Sequence, residues 1–187
     1  MSPIAFADES AKGGPTSAYT VAAAVIVDGD QDEVRADLRH LFRNPRRRFH
    51  WRDEEPRDRA RMIEFIRERQ IQGLAAVRLL PDTKRQERAR ALCLERLLWD
   101  LRELGVDRLV LEARQDRNNQ RDRRLVVAAQ KAGKASASLA YSFGYPLEEP
   151  LLWIPDALAG AITAAWCEGL PAHLKVLGSL LEPVQIS

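Results

Sequence analysis

At 187 residues, 45% hydrophobic and 30% charged, the chain is long enough to bury a sizeable core and too apolar to be disordered. Its two cysteines exclude a disulfide scaffold and a thiolate cluster. The formal charge of +2 hides an asymmetry: from Tyr145 onward one Lys faces five acids, net −4, so the first 144 residues carry +6.

Taken in chain order, IAFADES (4–10) reads as a short apolar strand that ends on Asp8, Glu9 and Ser10. The loop AKGGPTS follows, and AYTVAAAVIVDG (18–29) has the unbroken apolar look of a strand buried on both faces. Gln31 to Arg43 is expected to be helical along Val34, Leu38, Leu41 and Phe42. After the basic loop RNPRRR, FHWRDEEP reads as a short strand running into a turn, with Pro56 in the first turn of a helix whose inner face is Met62, Ile63, Ile66 and Gln70 or Ile71. GLAAVRLL (73–80) is a strand, and Pro81-Asp82-Thr83 is a stop and a cap. Lys84 to Leu104 is a helix with a leucine stripe from Ala89 to Leu104 that Gly105 ends. DRLVLEA (107–113) is the next strand, and a helix capped by Asn118 or Asn119 runs from there to Lys131. SASLAYSFGY (136–145) reads as a strand, then an apolar helix starts near Pro155 and a short one at Pro171.

Strands followed by alternating helices and strands predict one α/β domain, with a mixed central sheet flanked by helices. The best uninterrupted apolar run, Ala157 to Cys167, falls short of a membrane span, and acids at positions 8 and 9 stand where a signal peptide needs apolar residues. A reduced cytoplasm is the expected location.

Three acids are embedded in apolar sequence: Asp8 after IAFA, Glu112 in LVLEA and Asp156 in IPDALAG. A carboxylate out of water normally protonates, pairs or binds a metal. Singly, Asp8 could begin a turn, Glu112 could meet an arginine, and Asp156 could favour a helix N-terminus. Three converging together would call for a divalent cation, and an all-oxygen donor set points to Mg²⁺ or Mn²⁺. Asp53, Glu54 and Glu55 form a fourth acidic group, and Asp116 could replace Glu112. His50, between Phe49 and Trp51, could carry a proton or donate to phosphate, or simply pack.

Two arginine clusters flank these acids. Arg43, Arg46, Arg47, Arg48 and Arg52 form the first; Arg114, Arg117, Arg121, Arg123 and Arg124 form the second. Of the 29 basic residues 24 are Arg, which a GC-rich coding sequence would also produce. Basic residues around an acidic site suit a phosphodiester substrate, whereas two solvated loops would look the same. AGKAS (132–136) has Ala128 where a phosphate loop needs Gly, and no GxGxxG, GxSxG or HExxH occurs. A Ser10–His50 nucleophile pair has no oxyanion motif beside it.

IAFADES, HWRDEE, LVLEARQDR and IPDALAGAI, in this order, resemble the bacterial domain-of-unknown-function family 3800, whose members look ribonuclease-H-like. The resemblance implies a metal-dependent nuclease or phosphodiesterase acting on nucleic acid. The implied metal ligands are Asp8, Glu112 and Asp156, with Glu54 as the fourth acid; His50 joins the catalytic set from its place beside these acids in the sequence. Arg46, Arg47, Arg48, Arg52, Arg114, Arg117 and Arg121 would bind substrate. This chain departs from the pattern at Ala11, where Gly is usual, at Glu112, where Asp is usual, and in lacking the family's Glu-x-Lys. The alternatives are an inactive ribonuclease-H-like module that binds nucleic acid and an interaction or assembly subunit. Glu9, on the opposite strand face from Asp8, is expected to be a bystander.

Overall fold

In a computed structural model, which describes residues 3–12, 17–42, 48–80 and 86–187, a six-stranded sheet runs through the centre of the molecule. The strands are β1 (Ile4–Lys12), β2 (Ser17–Ile26), β3 (Gln72–Leu80), β4 (Arg108–Glu112), β5 (Ala140–Gly144) and β6 (Leu181–Gln185), in the order β5-β4-β1-β2-β3-β6. β2 runs antiparallel to both β1 and β3, while β1–β4, β4–β5 and β3–β6 are parallel pairs. The mixed sheet expected from the element order is therefore present, although β6 was not anticipated.

Helices cover both faces. α1 (Gln31–Leu41), α2 (Pro56–Glu68), α5 (Trp153–Glu168) and α6 (Ala172–Leu177) lie on one side, and α3 (Gln86–Glu103) and α4 (Asp116–Lys131) on the other. The alternation of β1 assigns its side chains. Ile4 and Phe6 enter the core under α5, whereas Ala5 and Ala7 enter the core under α3. In β4, Leu109 and Leu111 face α3, and Val110 packs towards α5. Even-numbered residues of both strands thus point to the α5 side.

Several elements differ from expectation, each for a local reason. FHWRDEEP is not a strand: Trp51–Asp53 is a 3₁₀ turn whose buried Trp51 fills the core under α5. α4 begins at Asp116, not behind an Asn118 or Asn119 cap. Asn119 instead uses its side chain to bridge the Arg114 backbone, accepting from N–H at 2.8 Å and donating to C=O at 3.0 Å. α5 starts at Trp153, with Pro155 tolerated in its first turn. Leu104 is not part of the leucine stripe; it lies 49% exposed beyond the end of α3. The loop positions Arg43, Arg46 and Arg47, and the cap at Pro81-Asp82-Thr83, lie outside the described residues.

The stretch Pro150–Glu168 is, by length and composition, apolar enough to cross a membrane, contrary to the expectation from uninterrupted runs. In this fold 83% of its apolar window is buried, so it serves as the central core helix against β1 and β2.

Candidate functional site

The site begins where the sheet parts. β1 keeps its pairing with β4 only to Ala7↔Leu111, while its pairing with β2 continues to Lys12↔Ala18. A crevice therefore opens between two parallel strands at their carboxyl ends, the usual place for a ligand in such sheets. Asp8 and Glu112 are the next residues on the two strands, both on the α5 face, and Asp156 comes from the first turn of α5. All three line one cavity of about 660 Å³, together with His50, Trp51, Arg52, Arg59 and Arg114.

The electrostatics show how tightly the three acids interact. Burial pushes the Asp8 carboxyl well above the usual carboxylate range, and the charges of Glu112 and Asp156 push it further. A hydrogen bond with Glu112 acts in the same direction. Asp156 is 9% exposed, and burial raises it to about 6. That occurs despite the Trp51 backbone N–H, which donates to Asp156 Oδ2 at 2.7 Å, and despite its place at a helix N-terminus. Glu112 has a counter-charge in Arg48, whose Nη1 stands 3.1 Å from Oε1. Among the described residues, no three carboxylate, imidazole or thiol groups stand close enough to enclose an ion as they are.

A raised carboxyl means that the folded protein holds its proton after the unfolded chain has released it. Stability is then fully present below pH ~4 and falls as pH rises through about 6. The expected loss for Asp156 alone is roughly 2–3 kcal/mol. Urea unfolding in EDTA at pH 4.5 and 7.5 should show it, and Asp156→Asn should flatten the slope; equal pH slopes in the two proteins would refute the assignment.

The remaining expected site residues fall into two groups. His50 lines the cavity, its Nδ1 buried, without a hydrogen-bond partner among the described residues and 3.7 Å from Asp53 Oδ2. Arg48 and Arg52 are near the acids, one on Glu112 and one on the cavity wall. Glu54 instead lies buried behind the 3₁₀ turn, where its carboxylate accepts from the His50 N–H at 3.5 Å; it does not line the cavity. Asp53, Glu55 and Asp116 do not line it either.

Two residues of the second arginine cluster are paired with acids. Arg114 reaches Glu87 at 3.0 Å and Asp122 at 3.0 and 3.2 Å, and Arg121 meets Glu87 at 3.3 Å. Arg117 is exposed on α4, outside the cavity lining. Glu9 is no bystander: on the α3 face it pairs with the buried Arg90, which is also held by Asp122 through Nε at 3.1 Å and Nη2 at 2.9 Å. This network anchors β1 at the residue next to Asp8. Sequence reading missed Lys12 and Ser10 as wall elements. Lys12 pairs with Glu168, and Ser10 accepts from the Thr163 hydroxyl at 3.2 Å, tying the end of β1 to α5. The even spacing of Asp8, Ser10 and Lys12 was the available signal.

No family model and no curated protein matches the sequence. Solved structures do match. Ribonuclease H2 from Pyrococcus horikoshii OT3 superposes with a TM-score of 0.54 at 11% identity, covering 96% of this chain and 81% of that one. RNase HII from Archaeoglobus fulgidus, solved in complex with PCNA, gives a TM-score of 0.58 at 15% identity over 97% and 81%. Bst-RNase HIII, solved in complex with Mn²⁺, gives 0.55 at 13% over 93% and 56%. The chain therefore has a ribonuclease-H-like α/β fold.

Proposed function

We propose that the protein is a divalent-metal-dependent phosphodiesterase acting on nucleic acid. The observation that carries this reading is the convergence of Asp8, Glu112 and Asp156 on one cavity, where burial first, and then the charges of Glu112 and Asp156, lift Asp8 well above its ordinary range. An all-carboxylate donor set of this kind fits Mg²⁺ or Mn²⁺. The ribonuclease-H-like fold and the Mn²⁺ complex of one structural neighbour support the same choice.

Asp8, Glu112 and Asp156 would hold the ion through their oxygens. When bound, a divalent cation polarises a phosphoryl oxygen and makes a water more acidic. The Trp51 N–H fixes the Asp156 carboxylate, leaving its other oxygen for the ligand. His50 lines the cavity beside these acids, and its imidazole would be the group there suited to pass a proton.

The test is incubation with labelled RNA, DNA and RNA–DNA hybrid in Mg²⁺, Mn²⁺ and EDTA. Cleavage of at least one substrate that EDTA abolishes is expected. If wild type and Asp8→Asn are equally inert on all three in both metals, the catalytic reading fails. One observation favours a second reading: Arg48 pairs with Glu112 and so already relieves the acids in part without an ion. An inactive ribonuclease-H-like module would then bind nucleic acid in a salt-sensitive way without cutting it.

A further inference from the structure

The cavity is lined by several cations, but they are not equivalent. Lys12 is paired with Glu168, and Arg114 is surrounded by Glu9, Glu87 and Asp122. Neither has charge to spare for a substrate. Arg52 and Arg59 line the same cavity on the side of the 3₁₀ turn and α2, and among the described residues neither has an acidic partner.

Arg59 is also held in place. Its Nε donates to the Trp51 carbonyl at 2.8 Å and its Nη2 to the Arg52 carbonyl at 3.2 Å. Its guanidinium carbon lies 5.4 Å from the centroid of the Trp51 ring. These contacts commit two of the three guanidinium nitrogens to neutral groups and leave Nη1 without a hydrogen-bond partner among the described residues. Among the described residues no acid compensates the charge, and it acts on its surroundings: burial first, and then Arg59, holds His173 below the ordinary imidazole range.

A planar cation fixed by main-chain carbonyls has already lost its rotamer freedom, so an oxyanion meets it at little entropic cost. We infer that Arg59 is a phosphate-binding residue, and that the nucleic-acid backbone crosses the cavity on the Arg52–Arg59 side rather than on the Arg114–Arg121 side. This inference rests on the phosphodiesterase reading for the identity of its ligand. It separates two arginine clusters that composition alone treats as equal, and it adds a residue from α2 that neither cluster contains.

The experiment is a salt titration of binding, by fluorescence anisotropy in EDTA, with labelled 12-mers of RNA, DNA and hybrid. Wild type, Arg59→Met, Arg59→Lys and the remote charge control Lys131→Met are compared, with a thermal melt of each. Arg59→Met is expected to weaken binding by about tenfold and to lower the slope of log affinity against log salt by about 1. Arg59→Lys should restore the slope while recovering only part of the affinity, because it keeps the charge and loses the fork. Lys131→Met should leave both near wild type. A change in melting temperature without a change in slope would assign Arg59 a structural role and overturn the proposal. So would equal binding by Arg59→Met and wild type, with the phosphodiesterase reading left standing. Failure of wild type to bind or cut any of the three substrates would instead defeat the phosphodiesterase reading, and this inference with it.

Discussion

Asp8→Asn is expected to lower cleavage by at least about a hundredfold while making the protein harder to unfold at neutral pH. The activity loss follows from removing one of three carboxylates that would share an ion worth several kcal/mol of transition-state charge stabilisation. The stability gain follows from the same crowding. Above its raised titration range Asp8 is a buried charge facing Glu112 and Asp156, and an amide removes that repulsion while keeping the volume and a hydrogen bond to Glu112. A gain of about 1–2 kcal/mol would raise the melting temperature by roughly 2–8 °C. Saturating Mg²⁺ should reverse the order, because only wild type has the ion's linkage energy to gain. Melting curves of both proteins with and without Mg²⁺ check this. A variant that melts lower than wild type in EDTA would show that Asp8 is a structural anchor instead.

Gly160→Ala is expected to damage both fold and site. Gly160 sits in α5 beneath the indole of Trp51, and a Cβ placed there would stand 2.2 Å from Cγ and 2.4 Å from Cδ1 of the ring. Helix propensity alone favours Ala by about 1 kcal/mol, so any loss measures the clash. The ring cannot retreat easily: it is buried, edge-on to His173 at 5.1 Å and covered by Arg59. A net loss of about 2–3 kcal/mol, or roughly 4–12 °C in melting temperature, is expected. Displacing Trp51 also withdraws the N–H that fixes Asp156, so cleavage should fall at least about tenfold even at temperatures where the variant is folded. An unchanged melting temperature would mean that Trp51 does not rest on α5 as described.

The parts of the site that could be read from sequence share one property: an acid at the end of an apolar run. Asp8 and Glu112 lie on strands whose alternation also fixes their face, and Asp156 interrupts an apolar helix buried from Trp153 to Ala164. Those patterns are local. What could not be read depends on partners distant in the chain. Arg90 occupies a core position of α3 because Glu9 and Asp122 neutralise it, from 81 residues before and 32 after. Arg114 resembles Arg52 in sequence and differs only because β4 delivers it beside Glu87 and Asp122. FHW alternates like a strand, yet Trp51 is drawn out of that pattern by the Gly160 niche. LEPVQ is too short, and too broken by Pro183, to announce the edge strand β6, which β3 organises by parallel pairing.

Asp8, Glu112 and Asp156 would jointly hold a divalent cation, which Mn²⁺ binding at neutral pH tests, measured by electron paramagnetic resonance on wild type, Asp8→Asn and Asp156→Asn. Saturable binding in wild type that is lost or strongly weakened in both variants is the predicted result. Absence of saturable binding in wild type, or binding that both variants retain at full affinity, would contradict it.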